Sequence, residues 1–336
     1  MKALVYHRAG EYEITERPMP RPDELSVLMK VHSCGLCGTD IHVHQGDWAV
    51  NFPRITGHEF SGTIVEVGKE VTHLKEGDRA VVDPNLGCGT CAYCRNGRFH
   101  LCKNALSVST TIDGGFAEYC RLPGNAVYRV PDDLALERAA FAEPVACAVH
   151  GIDRARIRVG DRVVIIGGGP MGLILSQLAQ KAGAGLVIVI EPVALRREAA
   201  LDLGANRTID PGGPEWRTEI MDLTNGGGDV VIENVGLAGT MQDSLDLVKS
   251  GGTVLWFGVT DPKISIPVRP YFIFHEEISL LGSFVNPHTH QRAIDLLTGD
   301  LVRVTPLITH RFPLVDFAQA LETYRHPSRI KIMVHM

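Results

Sequence analysis

Apolar positions along this chain fall into two textures. Up to about residue 145 they form short runs closed by glycine- and proline-rich turns, and 3–6, 26–31, 62–67 and 79–82 read as strands. Their short, irregular spacing predicts a compact β-rich domain. Near residue 150 the texture changes. Arg162–Ile166 is a continuous apolar run, a helical pattern follows over 171–182, Leu186–Ile190 is a second buried strand, and 194–203 a second helix. Further strands are predicted at 229–232, 253–257 and 278–281, with a helix over 240–248 between the first two. Nearly all-apolar strands alternating with helices predict a parallel sheet covered on both faces. After about residue 285 the alternation fades. There 290–297 reads as a helix, and 308–312 and 331–335 as short strands able to rejoin the first domain.

The expected architecture is α/β, a doubly wound parallel sheet inserted into a β-rich domain, with segments 1–148, 149–285 and 286–336. Length agrees, because 336 residues exceed the usual single domain. A composition 45% hydrophobic and 21% charged can build a sizeable core. The net charge of −6 gives no electrostatic case for nucleic acid or an anionic membrane surface. No apolar run approaches the roughly 18 residues of a membrane span, and the first residues lack the apolar stretch of a secretory signal. The expectation is a cytoplasmic protein whose partner is a small molecule. In that reducing compartment eight cysteines, four of them within 88–102, point to metal rather than disulfides.

The glycine pattern Gly167-x-Gly169-x-x-Gly172 is weak alone and strong in context, since a buried strand precedes it and a helix starting near Met171 follows. The first glycine permits a tight turn, the second lets backbone approach a pyrophosphate, and the third lets helix and strand pack. The helix N-terminus then offers unpaired N–H groups to phosphates. Glu191 ends the second strand, where a carboxylate can accept from an adenosine ribose and repel a 2′-phosphate, which favours NAD over NADP. Arg196 cuts the other way, since it can receive that phosphate, or it can stack on adenine. Val259, Ser283 and Val285 follow strands at the edge where ligands bind and are candidates for the nicotinamide pocket, or for plain turn and core.

Two groups of metal-type side chains stand out. Cys88-x2-Cys91-x2-Cys94-x7-Cys102 suits a closed tetrahedral zinc site with no position for substrate. The second group is dispersed: Cys37, then His58 and Glu59, then Glu143. Thiolate, imidazole and carboxylate form an acceptable zinc set with room for substrate. By spacing alone it is ambiguous, since a His-Glu pair in a β-domain is commonly structural.

Together these residues resemble the zinc-containing medium-chain dehydrogenases. The carrying motifs are Cys-Gly-Thr-Asp-x-His at 37–42, Gly-His-Glu at 57–59, the four-cysteine lobe, Glu-Pro at 143–144 and the glycine fingerprint, in that family's order over essentially the whole chain. The resemblance implies a GroES-like domain made by both chain ends, with a Rossmann domain inserted between them. It implies one structural and one catalytic zinc, with Cys37, His58 and Glu59 around the latter and Glu143 binding directly or through water. Zinc would act as a Lewis acid on an alcohol whose hydride passes to NAD, with Thr39 taking the proton and His42 ending the relay. Cys147 falls four residues past the family's second cysteine position and reads as a small buried residue.

Within the family the chain is most similar to the sorbitol, arabinitol and galactitol dehydrogenases, through 143–151 and the tail 307–314. That implies oxidation of a polyol or related secondary alcohol to the ketone. Threonine dehydrogenases share the first motif and the cysteine lobe but typically carry Asp-Pro where this chain has Glu143-Pro144. Simple alcohols, and a non-catalytic NAD(H)-binding role, are the other readings. The resemblance also implies a homo-oligomer, a dimer or tetramer.

Overall fold

The computed structural model, describing residues 1–336, separates Met1–Ala146 together with Val285–Met336 from Cys147–Phe284. In the first unit a seven-stranded sheet runs in the order Val127–Arg129, Arg79–Val82, Glu59–Val67, Ser26–Leu36, Lys331–His335, Ile308–Pro313, and Tyr119–Pro123 also pairs with Ser26–Leu36. The last strand of the chain lies antiparallel to Ser26–Leu36, with Met333 opposite Gly35, which puts it in the sheet of this unit. On the other side of Ser26–Leu36, Glu59 stands opposite Gly35. Leu4, Phe60, Phe116 and Phe317 fill the core of this unit. Each such fully buried side chain contributes about 1.5–3 kcal/mol of transfer free energy.

The second unit is a sheet of six parallel strands ordered Arg207–Ile209, Leu186–Ile190, Arg162–Ile166, Gly228–Glu233, Val248–Trp256, Ser279–Gly282. Val163, Val164 and Ile165, like Val187, Ile188 and Val189, are wholly buried, which is why both strands read as unbroken apolar runs. Strand order reverses between Arg162–Ile166 and Gly228–Glu233, and ligands of such sheets bind beyond the carboxyl ends at that switch point.

Some elements differ from the hydrophobic pattern. The helix expected over 240–248 is Ala238–Asp246, and Val248 instead opens the strand Val248–Trp256, opposite Gly228. Leu247 closes the helix, and the β-branched Val248 joins the same buried cluster as Leu245 and Ile278 from the strand side. The strands expected at 26–31 and 62–67 extend to Ser26–Leu36 and Glu59–Val67. That extension brings Glu59 into the ladder. Arg207–Ile209 and the helix Trp216–Thr224 are additional elements, the strand too short to show a period.

Candidate functional site

Beyond the strand Arg162–Ile166 the chain turns at Gly167, which has φ 99°, and enters the helix Pro170–Lys181. Asn234 pins the turn by donating Nδ2–H to the carbonyls of Ile166 at 2.6 Å and Gly167 at 2.9 Å. A Cβ on Gly172 would strike the Gly167 carbonyl, so this position lets the helix pack against the turn. Around Gly169 there is open space for at least 4 Å, and Met171 lies in the first turn of the helix. Glu191 is buried; its carboxylate accepts from the amides of Gly168 at 2.8 Å and Val193 at 3.0 Å, with Arg196 at 3.5 Å.

Three oxygens at the carboxyl-end side of this sheet are buried without a hydrogen-bond partner: Glu233 Oε2, Thr260 Oγ1 and Ser283 Oγ. Burial pushes the Glu233 carboxyl above its ordinary range against three bonds to its other oxygen, from Val235, Gly236 and Thr240. Open space over a helix N-terminus and orphaned polar atoms along the same edge fit a dinucleotide. Val259 is exposed, and Val285 has φ 47° and falls in the β-rich unit.

In the β-rich unit, the helix Gly38–Gln45 starts from Cys37, whose amide donates to Asp40 Oδ2 at 2.9 Å in a capping arrangement. Thr39 and His42 stand three residues apart on one helix face. Thr39 Oγ1 lies 3.9 Å from Cys37 Sγ, while His42 points outward, its side chain 38% exposed and 3.9 Å from Asp47. Donor atoms of Cys37, His58 and Glu59 all fall within 4.8 Å of one another. Burial alone would push the His58 imidazole down, but Cys37, Asp40 and Glu143 outweigh it and hold the ring well above its ordinary value. Glu143, in the first turn of the helix Ala142–Ala155, is buried and near enough to act on His58, yet stands outside that three-residue group. Cys147 belongs to neither cluster.

The four lobe cysteines Cys88, Cys91, Cys94 and Cys102 also converge within 4.8 Å. Sγ atoms of Cys88 and Cys94 are 4.0 Å apart, and those of Cys91 and Cys102 3.8 Å. A tetrahedron with Zn–S bonds of about 2.3 Å has an edge of about 3.8 Å, whereas a disulfide needs about 2.05 Å. All eight cysteines are free thiols. Amides of Cys91, Cys94 and Cys88 point at Cys88, Cys91 and Cys102 sulfurs at 3.4 to 3.5 Å, the pattern that steadies thiolates. Hydrogen bonds from Thr90 draw the Cys88 thiol down to about 5.

Residues 23–132 match the model of the alcohol dehydrogenase GroES-like domain, and 170–299 that of the zinc-binding dehydrogenases. D-arabinitol dehydrogenase 1 of Uromyces fabae is 34% identical over 99% of this chain and 97% of its own length. Sorbitol dehydrogenase of Gallus gallus is 34% identical over 99% of this chain and 95% of its own. The chain belongs to the zinc-containing medium-chain dehydrogenases. A zinc-binding dehydrogenase from Sinorhizobium meliloti, solved with NADP bound, superposes with a TM-score of 0.94 at 36% identity, covering 100% of this chain and 99% of that one.

This dehydrogenase carries buried polar residues that its motifs do not announce. Lys331 opens the last strand and donates to Glu59 Oε2; both are buried. Burial opposes the ammonium, but Glu59 and Cys37 hold its pKa above the ordinary lysine value. Asp83, His290 and Asn286 form a second buried set, with Asn286 Nδ2 donating to His290 Nδ1 at 2.9 Å and His290 Nε2–H to the Val82 carbonyl at 3.1 Å. A charged residue at the edge of an apolar run was the only signal for Lys331. No helix is long and apolar enough to cross a membrane.

Proposed function

We propose that this dehydrogenase oxidises a polyol or related secondary alcohol to the ketone, with NAD as hydride acceptor. The observation that carries the proposal is the convergence of a thiol, an imidazole and a carboxylate, Cys37, His58 and Glu59, within 4.8 Å, with the Glu143 carboxylate acting on His58. Such a set suits zinc and leaves a position for substrate oxygen, and a bound zinc would supply Lewis acidity to a coordinated alcohol. Cys37, His58 and Glu59 hold the ion, and Glu143 reaches it directly or through water. Thr39 accepts the hydroxyl proton of the substrate. His42, with its exposed ring three residues on, releases the proton to water. Cys88, Cys91, Cys94 and Cys102 hold a second, structural zinc.

Gly167, Gly169, Met171 and Gly172 form the pyrophosphate cradle, Glu191 reads the adenosine ribose with Arg196 beside it, and Val259, Ser283 and Val285 border the nicotinamide. The unit of Met1–Ala146 and Val285–Met336 serves as the catalytic domain and Cys147–Phe284 as the cofactor domain. The buried Glu191 carboxylate supports NAD. A 2′-phosphorylated cofactor is the second reading, favoured by the relative that binds NADP. Eight free thiols suit the cytoplasm. Exposed Tyr271 and Phe274 beside the edge strand Ser279–Gly282 support a homo-oligomer. A panel of three- to six-carbon polyols, simple secondary alcohols and threonine with both cofactors tests the proposal, alongside zinc analysis. Turnover of threonine alone, or cofactor binding without turnover of any alcohol, overturns it.

A further inference from the structure

At the ribose end of the dinucleotide fingerprint, two acidic residues stand side by side. Ile190 and Ile209 are register partners on neighbouring parallel strands, so Glu191 and Asp210 leave the sheet together at its carboxyl edge. Two arginines of the helix Ala194–Asp202 meet them. Arg196 lies 3.5 Å from Glu191 Oε1. Arg197 is engaged three ways: its Nη1 donates to the carbonyls of Glu191 at 2.8 Å and Pro192 at 2.7 Å, and lies 3.0 Å from Asp210 Oδ2. The other Asp210 oxygen accepts from the Gly212 amide at 2.9 Å, which fixes the carboxylate in place. Charges at this edge therefore cancel in pairs.

The geometry points to Asp210 as a determinant of cofactor choice, acting by holding Arg197 away from a 2′-phosphate. This rests on the proposed reading of Glu191 as the ribose-binding residue. A 2′-phosphate needs an arginine whose guanidinium can turn to it. Here Asp210 neutralises Arg197 and holds it against the backbone, so the pocket offers such a phosphate no uncommitted charge from that side chain. Glu191 repels the phosphate directly; Asp210 withdraws the cation that would otherwise attract it. Removing the Asp210 charge leaves the edge one unit more positive and leaves Arg197 bound by neutral carbonyls alone.

The test is calorimetric titration of the zinc-loaded, full-length enzyme with NADH and with NADPH, for the wild type, Asp210→Asn and Asp210→Asn/Arg197→Met. Asparagine keeps the acceptor for Gly212, and Asp210→Ser serves as a second variant should the first unfold. The expected result is a shift of the NADPH-to-NADH affinity ratio toward NADPH by about tenfold in Asp210→Asn, the scale of one partly screened unit charge near a phosphate. The shift should vanish in the double variant. An unchanged ratio in folded Asp210→Asn overturns the inference, and so does a shift that survives loss of Arg197. The wild-type ratio tests the NAD reading itself, whereas its change on substitution tests Asp210, so either can fail alone.

Discussion

Lys331 donates to Glu59 across 272 residues of sequence, inside the core of the β-rich unit, with side-chain exposures of 5% and 3%. Gly35 stands between their strands, and a Cβ there would lie 2.7 Å from Lys331 Cε, so the ladder position that brings the pair together also has to be a glycine. Glu59 belongs at once to this ion pair and to the group of metal-type donors.

Breaking that pair should be costly. In the zinc-free protein Lys331→Met leaves the Glu59 carboxylate buried without a cation, a loss of about 3–5 kcal/mol of stability. Glu59→Gln/Lys331→Met should recover most of it, because a neutral pair of similar volume carries no stranded charge. Urea unfolding of the three proteins, all freed of zinc, checks this, and equal stabilities throughout would show that the pair is worth nothing to the fold.

The two cysteine sites should respond differently. Cys37→Ser is expected to lower kcat by at least about 100-fold, more than changes behind a metal ligand cost, with NADH affinity unchanged. Cys91→Ser should lower the thermal midpoint and the zinc content. A selective loss of chemistry in the Cys91 variant, with its lobe still folded, would reverse the proposed division of roles.

Features carried by local pattern were legible in the sequence. The strand-glycine-helix order around Gly167 and the tight spacing of Cys88 to Cys102 need no tertiary contact to be recognised, and both appear as arranged units in the structure. Partners joined only by sheet topology were not. Lys331 meets Glu59, and Asn286 meets Asp83 203 residues away, because strands and loops distant in sequence share one sheet and core. Val248 was misplaced for a related reason. The residues just before it are helical, and its pairing with Gly228 starts the strand. Glu191 follows directly on the strand Leu186–Ile190, a position readable from the sequence, but its bonds to the Gly168 and Val193 amides depend on how the turn and that strand pack.

Those bonds shape the expected effect of Glu191→Ala. NADH affinity should fall by about 10- to 100-fold, the value of one hydrogen bond to a charged group. NADPH should lose less, because removing the carboxylate also removes a repulsion of the 2′-phosphate. Titration of both cofactors decides the matter. Equal losses would mean that Glu191 serves only to brace Gly168.

The network of Asp83 and His290 predicts opposing pH dependences of stability. Burial raises the Asp83 carboxyl from 3.8 to about 7, and burial lowers the His290 imidazole from 6.5 to about 4. His290 Nε2 donates to the Val82 carbonyl and its Nδ1 accepts from Asn286 Nδ2, which fits a neutral ring, and Asp83 Oδ2 lies 3.5 Å from that ring. Between pH 4 and 7 the unfolded chain releases the Asp83 proton while the folded chain keeps it, so this group makes stability fall as pH rises. Between pH 6.5 and 4 the unfolded chain protonates His290 while the folded chain does not, so this group makes stability fall as pH drops. In the wild type the two slopes oppose each other across the shared window. Asp83→Asn keeps the acceptor for the Asn85 amide and removes the titration. Relative to the wild type, its stability should be lower or equal at pH 4, rise steadily to pH 7, and hold level above that. Urea unfolding at pH 4.5, 5.5, 6.5 and 7.5 measures the difference, and a difference that does not change with pH would show that Asp83 is ionised in the folded protein throughout.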